Sequence, residues 1–214
     1  MNDMTYLNAT LFDHPALRPA RQSLLQAYEM LVESFAGGGK LLLCGNGGSA
    51  CDCEHIAGEL MKGFKLRRAL TPEEKAALAA QGEDGKLLGD TLQRGLPVIV
   101  LSALTGLSTA FANDVDAAMV YAQQAFVYAK PGDVLLALST SGNARNVRLA
   151  AVAARARGAR VIALTGQGGG RLKAVCDLLV SMPETETYRV QELHLAVYHC
   201  LCLMLETHFF SEKE

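Results

Sequence analysis

Five consecutive residues, Ser139-Thr140-Ser141-Gly142-Asn143, place three hydroxyls and a glycine directly after a short apolar run. Where a strand gives way to a helix, backbone N–H groups lie unpaired and point outward. The hydroxyls add side-chain donors, and Gly142 lets an anion approach the backbone closely. A helix terminus contributes about 0.3–1 kcal/mol toward an anion, and each hydrogen bond to a charged phosphate about 1.5–3 kcal/mol. Together these hold a monophosphate without any lysine. Simple N-capping is the plainer use of such residues, but three hydroxyls exceed what one cap needs.

A second loop, Gly45-Asn46-Gly47-Gly48-Ser49, also follows an apolar run and opens a helical stretch. Its glycine spacing is not that of a dinucleotide fingerprint, and no Gly-Lys-Ser/Thr follows it as in a Walker A loop. In the next helix His55 and Glu59 stand four apart, about 40° from one another around the axis, with Cys51 one turn earlier. A histidine and a carboxylate so placed share a metal ion or flank a substrate; their plainer use is a surface hydrogen bond. The last helix carries Gln191, Glu192, His194, Tyr198 and His199. Gln191 and His199 fall about 80° apart and line one cleft, whereas His194 lies about 140° from His199 and cannot serve the same site equally.

The elements that must carry these residues alternate. A long helix is predicted over 15–36, stopped by Gly37-Gly38-Gly39. Apolar runs at 40–44, 96–101, 133–138, 160–164 and 177–181 read as buried strands. Helices are predicted from the 45–49 loop to about Gly63, near 105–112, over 115–128, over 143–158 and from about Tyr188 to Phe209. Such alternation argues for a three-layer α-β-α sandwich around a mostly parallel five-stranded sheet. Ligands in that architecture bind at the carboxyl ends of strands. Residues 64–95 stand apart as an inserted helical hairpin, with Thr71 as N-cap, Pro72 at the first helical position and a second helix near 86–94. Its apolar residues are too few for a core of its own, so 1–214 is expected to form one domain, with N-terminal helices over 1–36.

Bulk composition narrows the function. The 214 residues are 50% hydrophobic and 20% charged, with a formal net charge of −2. No broad basic field exists for nucleic acid. No apolar run is read as approaching the roughly 20 residues of a membrane span. Met1-Asn2-Asp3-Met4 lacks the start of a secretory signal, so a cytoplasmic location is expected. The six cysteines, Cys44, Cys51, Cys53, Cys176, Cys200 and Cys202, lack the spacing of a disulfide scaffold and are expected reduced and buried.

Taken together, Cys44-Gly-Asn-Gly-Gly-Ser49, His55-x-x-x-Glu59, Asn113-Asp114, Ser139-Thr-Ser-Gly-Asn143, Leu164-Thr-Gly166 and Gln191-Glu-x-His194-x-x-x-x-His199 resemble the sugar isomerase (SIS) domains, above all the phosphoheptose isomerase branch. The resemblance implies conversion of sedoheptulose 7-phosphate to D-glycero-D-manno-heptose 7-phosphate through an enediol. It implies Glu59 and His199 as the acid/base pair. Asn46, Gly47, Gly48, Ser49, Asn113, Asp114, Ser139, Thr140, Ser141 and Gln191 would contact substrate. It further implies zinc held by His55, Glu59, Gln191 and His199, and a homotetramer with sites between subunits. The family commonly has a serine where this chain has Ala144, and Lys62, Lys65, Arg67, Arg68 and Arg145 are the nearby cations open to replace that contact. A non-catalytic SIS protein, binding a phosphosugar or the replication initiator, is the alternative; the presence of both Glu59 and His199 favours the enzyme.

Overall fold

The computed structural model describes residues 4–211, so Met1 to Asp3 of the N-terminal reading lie outside the described residues. Helix α1 (Met4–Asp13) and a 3-10 turn (Pro15–Ala20) lead into α2 (Arg21–Ala36). The single helix predicted over 15–36 is thus divided. Pro19 lies inside the 3-10 segment, where its missing N–H prevents a continuous α-helical ladder.

Strand β1 (Leu41–Cys44) is followed by α3 (Gly48–Met61), α4 (Pro72–Ala79), α5 (Glu83–Thr91) and β2 (Val98–Val100). Next comes α6 (Thr105–Phe111), then a π-helical turn (Ala112–Asp116), a 3-10 turn (Ala117–Met119) and α7 (Val120–Tyr128). The sequence predicts one helix over 115–128, but Asp116 is extended and its carboxylate accepts the Ala118 N–H at 2.8 Å. Such a local bond competes with the helical ladder and restarts the helix. The chain closes with β3 (Val134–Ser139), α8 (Arg145–Ala156), β4 (Arg160–Thr165), β5 (Leu178–Ser181) and α9 (Thr187–Phe210).

All five strands run parallel, in the order β2-β1-β3-β4-β5. Alternate side chains feed two cores. Leu41, Leu43, Val134, Leu136 and Leu138 pack toward α2, α3 and α9, while Leu42, Cys44, Leu135 and Ala137 pack toward α7 and α8. The three-layer expectation holds. Helix α9 contradicts the reading that no run is long enough to span a membrane: it has 24 residues and a window of mean hydropathy 1.2. Half of that window is buried, and the helix packs against α1, α2 and α3, which accounts for its apolar character.

The 64–95 segment forms a hairpin of α4 against α5, closed at its neck by the antiparallel bridge between Ala69 and Gln93. Thr71 caps α4 with Pro72 in its first turn, as its sequence predicts, and a complete capping box with Glu74 is added. The second helix begins at Glu83, three residues before the predicted start, with Gly82 as its N-cap at φ +97°. No residue of α4 is buried, and in α5 only Gly85 and Gly89 are.

Candidate active site

Sheet growth reverses beside β1, with β2 on one side and β3 on the other, and such a switch point opens a crevice at the carboxyl ends of the strands. Both glycine- and hydroxyl-rich loops leave the sheet there. A cavity of about 120 Å³ lies between them, lined by Asn46, Ser49, Leu138, Ser139, Thr140, Ser141 and Ala144. Larger hollows on the outer helices hold none of the predicted residues.

Helix α8 begins at Arg145, not at Asn143, and its N-cap Ala144 provides no side-chain bond. Capping therefore does not explain the Ser139-Thr140-Ser141 hydroxyls. Asn143 is used in the turn itself: its Nδ2 donates to Ser141 O at 3.0 Å and its Oδ1 accepts the Arg171 N–H at 3.1 Å. Gly142 has φ +66°, and a Cβ there would collide with the Gly169 carbonyl. Only glycine meets both demands.

The second cluster joins α3 to α9. His55 Nε2 stands 3.2 Å from Glu59 Oε1 and 3.4 Å from His199 Nε2. Glu59 is largely sheltered, with 14% of its side chain accessible, and its Oε2 takes no hydrogen bond among the described residues, Lys62 Nζ standing 3.9 Å away. Burial, then the neighbouring His55, hold the His199 pKa below the usual imidazole range, with Glu59 opposing. Phe64 covers His199, with ring centroids 5.6 Å apart.

Gln191, on α9, reaches the start of α3. Its amide lies so close against Gly48 that a Cβ there would displace it. Gly47, at φ +54°, provides the N-cap turn of α3 just before. Asn113 and Asp114 are not brought in: they occupy the exposed π-helical turn, where Asn113 Nδ2 donates to Asp114 Oδ1 at 2.9 Å. His194 is fully buried on another face of α9, as its angular offset from His199 requires.

The cations named from sequence are also sorted. Arg68 is excluded, because it is fully buried and bonded to Glu206 at 2.9 Å. Arg145 pairs with Asp116 at 3.4 Å, and Lys65 stands over the Tyr6 ring at 5.3 Å. Arg67 lines a separate hollow on the insert. Cys44, Cys53, Cys200 and Cys202 are buried free thiols, but Cys51 is exposed and Cys176 partly so, against the expectation for all six.

The SIS domain profile matches residues 16–86 and 91–166. Phosphoheptose isomerase of Trichlorobacter lovleyi is 37% identical over 212 residues, which span 97% of this chain and 95% of that protein. This chain belongs to the phosphoheptose isomerase branch of the SIS domain family. The enzyme of that name from Rhodospirillum rubrum is 38% identical over 184 residues, 86% of this SIS chain and 85% of that one. The structure of phosphoheptose isomerase from Neisseria gonorrhoeae aligns with a TM-score of 0.71 at 29% identity, covering 95% of this chain and 96% of that one.

Three residues of this SIS domain, Asp52, Asn146 and Tyr198, have partners that a sequence reading does not assign. Tyr198 Oη lies 3.0 Å from His55 Nδ1 and donates to Asp52 Oδ1 at 3.3 Å. Burial, then the negative Asp52, raise the Tyr198 pKa, so the phenol keeps its proton. Desolvation also raises the Asp52 pKa, opposed by the Tyr198 bond and by His55. The phenol serves either His55 tautomer: it donates to Nδ1 when Nε2–H faces Glu59, and accepts from Nδ1–H when its own proton is on Asp52. Asn146, in the first turn of α8, pairs with Asn46. The only sequence signals were a tyrosine beside His199 and an asparagine near a glycine loop, both commonplace.

Among the described residues no three His, Cys, Asp or Glu side chains are gathered about one point as a ready metal site. The donor types nevertheless suit zinc, as do the two spacings about His55. Ligands about 2.0–2.1 Å from a tetrahedral zinc stand roughly 3.4 Å apart, and the His55–Glu59 and His55–His199 separations are 3.2 and 3.4 Å. The unbonded Glu59 Oε2 adds a free donor.

Proposed function

We propose that this chain is an aldose–ketose isomerase interconverting sedoheptulose 7-phosphate and D-glycero-D-manno-heptose 7-phosphate. The observation that carries the reading is the meeting of Glu59 and His199, from two distant helices, on His55. Its support is the donor-lined cavity at the switch point and the relationship to the phosphoheptose isomerases.

The chemistry follows from the placement. The phosphate is held by the Asn46–Ser49 and Ser139–Ser141 loops and the first N–H groups of α8. Glu59 takes a proton from C1, and the electron pair becomes the C1=C2 bond of an enediol as O2 gains a proton from His199. Glu59 then returns its proton to C2 while His199 takes the O1 proton, leaving the aldehyde. A positioned acid or base contributes about 10²–10⁴-fold to such a step. Zinc, with His55, Glu59, Gln191 and His199 as its holders, would polarise the sugar carbonyl as a Lewis acid. Asn113 and Asp114, on their exposed turn, complete the substrate contacts in this reading.

The same reading makes the enzyme a cytoplasmic homotetramer. Six free cysteines suit a reducing compartment. Exposed Phe126, Val127 and Val115 on the outer helices supply apolar surface for subunit contacts.

The test is direct. Incubation with sedoheptulose 7-phosphate, followed by NMR, is expected to show the aldose accumulating. Binding of the sugar phosphate with no conversion would instead favour a non-catalytic phosphosugar-binding protein, and size-exclusion chromatography with light scattering reads the assembly.

A further inference from the structure

Asn46, in the loop after β1, and Asn146, in the first turn of α8, lie a hundred positions apart, yet they hydrogen-bond to each other reciprocally through their amides. Asn46 Nδ2 donates to Asn146 Oδ1 at 2.9 Å, and Asn146 Nδ2 donates to Asn46 Oδ1 at 2.8 Å. Which way such a pair faces is decided by a third group. The Val147 backbone N–H donates to Asn146 Oδ1 at 3.0 Å. A flipped Asn146 would set its NH₂ against that N–H, donor against donor. The orientation of Asn146 therefore dictates that of Asn46. Each NH₂ carries two hydrogens and each pair bond uses one, so one N–H on each amide stays free; Asn146 Oδ1 accepts two bonds and Asn46 Oδ1 one.

Asn46 lines the cavity beside Ser49 and Ser139 to Ser141, whereas Asn146 does not. Ala144, also on the cavity wall, offers no side-chain donor. We infer that Asn146 is a positioning residue for the phosphate site: it locks the Asn46 amide with its oxygen turned into the pair and its free N–H available to the anion. A free N–H fixed in that way suits an anion at that end of the substrate. The inference rests on the sugar-phosphate reading above and deepens it.

The experiment uses inorganic phosphate as a competitive inhibitor of the full-length enzyme, together with KM and kcat for sedoheptulose 7-phosphate. For Asn146→Ala, the inhibition constant and KM are expected to rise about tenfold, the loss of one charge-assisted hydrogen bond, with kcat within about twofold of wild type. Asn146→Asp keeps the shape and the acceptor but adds negative charge, and is expected to weaken phosphate further. Because Asn146 acts through Asn46, adding Asn146→Ala to Asn46→Ala should change the inhibition constant no more. A wild-type inhibition constant in both Asn146 variants, additive effects in the double variant, or a fall in kcat at unchanged KM overturns the inference alone. A wild-type protein that neither turns over the sugar nor binds phosphate overturns the sugar-phosphate reading, and the inference with it.

Discussion

The fully buried Arg68 guanidinium donates from Nε to Glu206 Oε1 at 2.9 Å, tying the root of the 64–95 hairpin to the middle of the molecule. Glu206 also accepts the Phe64 and Lys65 N–H groups at 2.8 and 2.9 Å, and Arg68 donates to the Leu60 and Glu59 carbonyls at 2.7 and 2.9 Å. The pair therefore holds the C-terminal end of α3, where Glu59 sits, and the Phe64 ring that covers His199. Removing one partner leaves an uncompensated buried charge. Glu206→Ala is expected to cost about 3–5 kcal/mol in urea unfolding. Its activity should fall even where the variant is still folded.

Glu59→Gln preserves shape and removes the base, and His199→Asn removes the proton carrier. Each is expected to lower kcat by about 10²-fold or more while inorganic phosphate still inhibits residual turnover or binds in calorimetry. Near-wild-type turnover in either variant would remove that residue from the chemistry.

Tyr198→Phe deletes the hydroxyl that bridges His55 Nδ1 and Asp52. With a metal on Nε2 the proton lies on Nδ1 and the phenol oxygen accepts it, orienting the ring; loss of such a partner costs about 10–100-fold in metal affinity. Zinc affinity, read by competition with a chromophoric chelator, is expected to drop by that range. Chelator treatment of the wild type should lower turnover, and zinc add-back should restore it.

His194 sets a pH limit on stability. Burial, opposed by the Thr165 backbone, drives its pKa from 6.5 down to about 4. With the folded pKa below the unfolded one, the unfolded chain takes up the proton first. Stability is therefore complete above pH 6.5 and falls as pH drops toward 4, by about 3 kcal/mol in all. Denaturant midpoints measured across that range are expected to show the decline, and His194→Gln should flatten it.

Much of this protein is local and so was legible in the amino-acid order. Short apolar runs spaced by helical stretches specify a parallel sheet, because such strands must be covered on both faces. Thr71-Pro72-Glu73-Glu74 writes its own capping box, and the four-residue step from His55 to Glu59 puts both on one helical face. The angular offset of His194 from His199 likewise follows from helix geometry alone. What the tertiary structure decided is everything that depends on two distant segments meeting. Strand order sets the Asn46 and Ser139 loops side by side, so that Asn146, 100 residues on, comes within hydrogen-bonding reach of Asn46. Packing of α9 on α3 gives His55 its Tyr198 partner, and burial turns Arg68 from a candidate phosphate contact into a core ion pair. The Ala144 helix start belongs to the same class: capping is the plainer use of the Ser139–Ser141 hydroxyls in sequence, and only the actual start of α8 removes it. Periodicity is carried by neighbours along the chain, whereas partners in space are set by topology and burial.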